Sequence, residues 1–157
     1  MGAEQRLREL GIELRTPPAS PDKPYLRTKQ SGRLVFGSGN TSIDREQNKV
    51  FTGRFGEDLG LEDAAPLARL ALLNCLAALR ADLGSLDRIA SVVKMNGYVT
   101  SAPDFVSQAN VIDHASSLLL EVFADRGRHA RAAIGVAQLP GGAAVEIELI
   151  VEVDGEE

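Results

Sequence analysis

The sequence predicts an α+β fold, a mixed sheet of four to six strands with two helices packed on one of its faces. Three observations carry that prediction. Two long segments, 61–84 and 105–127, repeat apolar residues at steps of three and four. Several shorter segments are rich in Val, Ile and Leu and end at Gly-, Ser- or Pro-bearing turns. Their order along the chain is strands, helix, strand, helix, strand, strand.

Taken in order, residues 4–14 (EQRLRELGIEL) place Leu7, Leu10 and Leu14 at helical spacing, a short surface helix interrupted by Gly11. RTPPASPDKP follows with four prolines in ten residues, an extended connector. RLVF, after the Ser31-Gly32 turn, reads as a strand that GSGN ends. Residues 41–60 are polar and Gly-rich, a loop with one brief strand at Val50-Phe51. In the segment 61–84, Ala65, Ala68, Leu72, Leu76, Leu79 and Leu83 form a broad apolar helical face. Asp63 is placed to cap it, Pro66 falls in its first turn, and Gly84 stops it. SVVKMNGYVT (91–100) is a β-branched strand. The second helix puts Phe105, Ala109, Ile112, Ser116, Leu119 and Phe123 on one face and ends at Gly127. Two strands then flank Leu139-Pro140-Gly141-Gly142. The expected division is an N-terminal helix and Pro-rich extension over 1–23 and a single domain over 24–157. Rows of Ala, Val and Ile on the last strands leave the second sheet face in need of cover, so a homo-oligomer is expected.

Composition narrows the function classes. The chain is 44% hydrophobic and 25% charged, with net charge −5. That is a globular composition with no global attraction for phosphate backbones or anionic lipid. Scarce aromatics and no Trp argue against a base-stacking nucleic-acid surface. Apolar runs too short to span a bilayer and a charged N-terminus without a signal-peptide core give no membrane partner. With Cys75 the sole cysteine, a cytoplasmic location is the expectation. His114, His129 and Cys75 lack ligand spacing, so no metal is expected. His114 reads as a surface or packing residue and Cys75 as a small buried hydrophobe.

The chemistry concentrates near the C-terminus, in ARAAIGVAQLPGGAAVEIELIVEV. Arg126 and Arg128 read as a solvated basic rim after a helix. Arg131 differs because the strand has already begun there. Alternation places Arg131, Ala133 and Gly135 on one face, and small neighbours leave room around a guanidinium. Glu146 and Glu148 share a face of the last strand, with Val145, Ile147 and Leu149 on the other. Either glutamate could pair with Arg131 functionally, one group fixing a carboxylate and the other positioning water. Alternation alone does not choose between them.

RHARAAIGVAQLPGGAAVEIELIVEV resembles the C-terminal signature of the RidA family (also YjgF or L-PSP): an Arg-led strand, Leu-Pro, then alternating apolar and Glu residues. KPYLR and SGRLVFGSGN resemble the family's opening strands. LARLALLNCLAALRADLGSLDRIASVVKMNGYVTSAPDF resembles its long helix and following strand. The resemblance covers 24–153, and the longer N-terminus with GRHAR is similar to the family's extended branch. It implies a chorismate-mutase-like fold, a homotrimer with clefts between subunits, and cofactor-free hydrolysis of reactive 2-imino or enamino acids to 2-keto acids and ammonia. By motif position it makes Arg131 the grip on a small carboxylate-bearing ligand and Glu146 the acid associated with water. Tyr25, Ser38, Gly39 and Ala133 then line the cleft, with Asn96 and His129 as branch-specific polar contacts.

Departures from the pattern bear on substrate identity. Ala133 stands where Cys is frequent, Asn40 where Gln is common, His129-Ala130 for Pro-Ala, and Ser116 near a usual Asn. Three other readings stay open: a non-catalytic carboxylate binder or regulator, a specialised catabolic deaminase such as one for 2-aminomuconate, and an endoribonuclease.

Overall fold

The computed structural model describes residues 1–155. Its elements are α1 (Ala3–Glu9), β1 (Thr28–Ser31), β2 (Leu34–Gly37), β3 (Asn40–Thr41), β4 (Ile43–Asp44), β5 (Lys49–Val50), α2 (Ala64–Leu83), β6 (Ile89–Thr100), α3 (Gln108–Phe123), β7 (Ala130–Val136) and β8 (Val145–Val153). The main sheet runs β1-β2-β8-β6-β7, with β3 also on β8, while β4 and β5 pair as a separate hairpin. Every pairing in the main sheet is antiparallel except β6 with β7. A parallel pair cannot be closed by a tight turn, and α3 supplies the crossover. The sheet is therefore mixed, with β7 at one edge, and the predicted α+β architecture holds.

The last strand shows why the helices lie on one side. In VEIELIVEV every odd residue from Val145 to Val153 is buried and every even one is partly exposed. The buried row meets α2 and α3, each side chain contributing about 1.5–3 kcal/mol when fully removed from water. Gly97 on β6 lets Ile112 of α3 seat against the sheet, because a Cβ there would overlap the Ile112 side chain. The opposite face carries Glu146, Glu148, Asn96 and Tyr98 together with exposed Leu34, Phe36 and Ile134. Among the described residues, no element covers that face.

Several boundaries differ from the sequence expectation. The first helix ends at Glu9 rather than running to residue 14. Gly11 takes φ +68°, and the Ile12 N–H closes back on the Leu7 carbonyl at 2.9 Å, a glycine-dependent helix stop. Leu7 and Leu14 are buried, whereas Leu10 points to solvent. The loop 41–60 contains two short strands, since β5 finds a partner in β4. Asp63 does not cap α2 forwards; its carboxylate reaches back to the Gly60 N–H at 2.9 Å. The second helix begins at Gln108, and its buried face is Val111, Ile112, Ala115, Leu118, Leu119, Val122 and Phe123. Ala109 is exposed and Ser116 only half-buried, so the face is rotated from the predicted one. Phe105 lies ahead of the helix, its ring 5.7 Å from that of Phe55.

Contrary to the expectation that no segment is long enough, the helical segment Leu61–Leu83 has the length and composition to cross a bilayer, but here it is the core helix, mostly packed against sheet and α3. Cys75 sits inside it. Its thiol donates to the Ile147 carbonyl at 2.9 Å, and burial pushes its pKa up to about 12. The thiol therefore stays protonated and unreactive.

Candidate active site

A break in the strand formed by β2 and β3 creates one wall. Both segments pair with β8, β2 against Ile150–Glu152 and β3 against Glu146 and Ile147. Between them Ser38 leaves the ladder and turns to residues 26–27. Its N–H donates to the Arg27 carbonyl at 2.8 Å and its hydroxyl to the Leu26 carbonyl at 2.7 Å. Gly39 follows, and a Cβ built there would run into the Glu146 carboxylate. Glycine is what lets that carboxylate lie directly behind the turn. Buried Asn74 of α2 holds the far side, donating to the carbonyls of Thr41 at 3.0 Å and Ile43 at 2.9 Å.

Tyr25, Ser38 and Gly39 line a cavity of about 440 Å³ whose other boundary is the Pro-rich segment from Pro17 to Pro21. Arg27, Arg45 and Asn40 face the same space. Arg27 anchors the Pro-rich wall, donating to the carbonyls of Pro17 at 3.3 Å and Pro18 at 3.4 Å.

Glu146 and Glu148 separate clearly. Glu148 accepts from Asn96 Nδ2 and from the Tyr98 hydroxyl, both at 2.8 Å. The bond to Glu148, then burial, pushes the Tyr98 phenol up to about 12, so it remains a donor. Among the described residues no side chain donates to Glu146. Burial raises its carboxyl above the ordinary value, and the neighbouring Glu148 charge raises it further. A carboxylate so placed binds a proton more readily than a solvated one.

Arg131 forms the second wall, on edge strand β7. Its Nη1 donates to Asp113 Oδ1 at 2.7 Å and to Ser116 Oγ at 3.2 Å, both on α3. Ser116 Oγ lies 3.0 Å from His129 Nε2, and His129 Nδ1 lies 2.6 Å from the Gly127 carbonyl. A carbonyl only accepts, so Nδ1 carries a proton; in the neutral ring Nε2 then accepts the Ser116 hydroxyl. The network fixes the serine oxygen towards the guanidinium. Gly127 permits this approach, because a Cβ there would strike the Leu119 carbonyl. An open cavity of about 280 Å³ is lined by Asp113, Ser116, Leu120, Arg128, His129 and Arg131.

The structure thus sorts the sequence-predicted residues into groups. Tyr25, Ser38 and Gly39 line one cavity, and Glu146 lies behind Gly39, with Asn96 bound to the neighbouring Glu148. Arg131 and His129 stand on the other. Ala133 and Gly135 share the Arg131 side of β7, where Ala133 packs on the core and a Cβ on Gly135 would meet Gln108. Arg131 and Glu146 do not meet within one chain: Arg131 faces α3, while Glu146 lies on the opposite face of the sheet. Arg128 is exposed and pairs with Asp125 at 3.3 Å, as a rim residue does. Arg126 is no mere rim residue, since it donates to the Ile89 carbonyl at 2.7 Å. His114 is half-exposed on α3, beside Asp113 and Ser117. Among the described residues no three His, Cys, Asp or Glu side chains gather as metal ligands.

Sequence reasoning passed over Asp113 and Arg45. Asp113 and Ser116, three residues apart on one helix, share a face, and that spacing was a usable signal. Arg45 in IDRE carried none.

The sequence profile described as Endoribonuclease L-PSP matches residues 16–153. "Protein TCP17" of Trypanosoma cruzi is 40% identical over 149 residues, covering 94% of this chain and 92% of that protein. A 2-iminobutanoate/2-iminopropanoate deaminase of Dermatophagoides farinae is 30% identical over 134 residues, 85% of this chain and 89% of that one. A crystal structure of a protein of unknown function from Agrobacterium tumefaciens superposes with a TM-score of 0.85 at 41% identity, covering 98% of this chain and 92% of that chain.

Proposed function

Because the chain belongs to the Endoribonuclease L-PSP family, the RidA or YjgF family, we propose that it hydrolyses 2-imino or enamino acids to 2-keto acids and ammonia. The site is completed between copies. Arg131 and Glu146 occupy opposite faces of one sheet, with β7 at an edge and an uncovered face carrying Leu34, Phe36 and Ile134. A homotrimer that lays the β7 edge of one protomer beside the Glu146 wall of the next would bring them together and cover that face.

The chemistry asks little of the protein. An iminium carbon is already electrophilic, so orientation and a water-activating base suffice. Arg131 holds the substrate carboxylate in the planar geometry its guanidinium favours. Glu146 takes a proton from the attacking water as the new C–O bond forms and the C=N pair moves onto nitrogen. The carboxyl returns that proton to the amine. The C–N bond then breaks, ammonia leaves, and loss of the hydroxyl proton gives the 2-keto acid. Serine 38 and Gly39 shape the space before Glu146, while Tyr25, Ala133, Asn96 and His129 border or brace the two walls.

The observation that carries this reading is Glu146, a half-buried carboxylate behind a glycine, free of side-chain donors and raised in pKa. The test is a coupled assay in which an amino-acid dehydratase releases 2-aminoacrylate or 2-aminocrotonate. Keto-acid formation should accelerate on adding the protein. No acceleration at micromolar protein sinks the deaminase reading, and thermal stabilisation by keto acids without turnover would favour a carboxylate-binding role.

A further inference from the structure

The larger cavity holds a cation that the rest of the chain leaves unanswered. Arg45 is half-buried, and among the described residues its side chain makes one hydrogen bond, from Nη2 to Asn40 Oδ1 at 2.8 Å. Its Nε is buried and without a partner. No carboxylate of a described residue forms an ion pair with it. A second guanidinium, Arg27, is close enough to oppose its charge, and burial opposes it more strongly. Asp82, the one carboxylate among the described residues that line the cavity, is committed: it lies 3.4 Å from Arg27 and accepts the Thr28 hydroxyl at 2.8 Å.

A half-buried cation with an orphaned donor and a like charge nearby is unfavourable unless something anionic completes it. Other groups on the cavity wall suit an acid. Lys23 and Arg27 add positive charge, while Asn40 fixes the Arg45 head. The volume of about 440 Å³ is that of a small-molecule pocket. Gly39 lines this cavity, and a Cβ on it would meet the Glu146 carboxylate, so the cavity wall backs directly onto Glu146.

We propose that this cavity binds a second carboxylate of the substrate through Arg45 and Arg27, making the preferred substrate a dicarboxylic imino acid. The inference rests on the reading of the cleft as a carboxylate site and extends it by naming the substrate class. Arg131 takes the carboxylate beside the reacting carbon, and Arg45 takes the distal one. The Pro-rich extension then has a function, since it is the outer wall of the distal subsite and is held there by Arg27.

Calorimetric titration of the assembled protein tests this with the product-like acids 2-oxobutanoate and 2-oxoglutarate. The diacid should bind on the order of tenfold tighter, the difference expected of one charge-assisted contact. Arg45→Gln should erase that preference by lowering diacid affinity far more than monoacid affinity, while Arg45→Lys, which keeps the charge, should retain part of it. Equal affinity for both acids in the wild-type protein, or a preference that survives Arg45→Gln in a folded protein, overturns the inference. Arg131→Ala separates the two levels of argument. Loss of both acids in that variant with no diacid preference in the wild type removes only the second subsite, whereas binding of neither acid to the wild type removes the carboxylate reading as well. Inorganic phosphate binding through Arg45 as tightly as the diacid would mark a general anion trap and also overturn the proposal.

Discussion

The two walls of the candidate cleft handle charge in opposite ways. On β7, Arg131 is already neutralised: Asp113 sits on it at 2.7 Å and Ser116 at 3.2 Å, near the protein surface. On β8, Glu146 has no opposing partner among the described residues, and burial, then Glu148, raises its pKa. One wall stores its cation in a bond a ligand carboxylate can replace. The other keeps an acid uncomfortable, and so basic. On the proposed reading, binding and proton transfer would each use one of those environments, one on each face of the sheet.

The hardest way to break the contrast is to remove the cation. Arg131→Ala is expected to lower kcat/KM by at least about a hundredfold, because a lost charged contact to a substrate costs about 3 kcal/mol or more. Stability should move little, since Asp113 is 61% exposed and exposed pairs contribute about 0–1 kcal/mol. Steady-state kinetics with thermal unfolding of the same sample checks both halves. An active variant would mean that Arg131 is not the anchor.

What was legible in the sequence follows the same division. Alternation in VEIELIVEV placed Val145, Ile147 and Leu149 inside and the glutamates outside, because burial on one face of a strand imposes a period of two. The first long helix was legible through to Gly84. The second was misphased: Phe105 is apolar and correctly spaced, yet it packs on Phe55 before the helix begins, which periodicity cannot distinguish. Arg131 could be singled out as a charge among small strand residues. That it faces Asp113, and not Glu146, depends on the sheet order and on α3 crossing over β7, and both are tertiary. Choosing Glu146 over Glu148 rested on family resemblance. The structure distinguishes the two only by their partners: Asn96 and Tyr98 donate to Glu148, and among the described residues no side chain donates to Glu146.

The contrast on the Glu146 wall can be sharpened without touching the proposed base. Glu148→Gln removes the like charge that helps raise Glu146, so ionisation of Glu146 becomes easier. Activity needs the ionised form and falls as pH drops through its pKa. The acidic limb of kcat/KM in the wild type should therefore lie above the ordinary carboxylate value of 4.5. In Glu148→Gln it should move to lower pH, while remaining above the ordinary value because burial, the larger cause, is unchanged. An unmoved limb would show that the group titrating in the profile is not Glu146.

The smallest expected effect tests the stored bond on the other wall. Asp113 occupies a guanidinium nitrogen that a carboxylate held by Arg131 would need on the proposed reading, and replacing it by Asn keeps the shape while removing the charge. If the ion pair is a placeholder, Asp113→Asn lowers the cost of displacing it, and keto-acid affinity should improve by a few-fold, the scale of a partly exposed ion pair. If Asp113 instead holds Arg131 in its working direction, the variant weakens binding, because a freed arginine regains rotamer entropy that the ligand must then remove. Ser116, with His129 behind it, supplies a second hold that does not depend on Asp113. That independent brace favours the placeholder outcome. Titration of Asp113→Asn alone and combined with Ser116→Ala decides it: improved affinity in the single variant that is lost in the double assigns the direction of Arg131 to Ser116 and its neutralisation to Asp113.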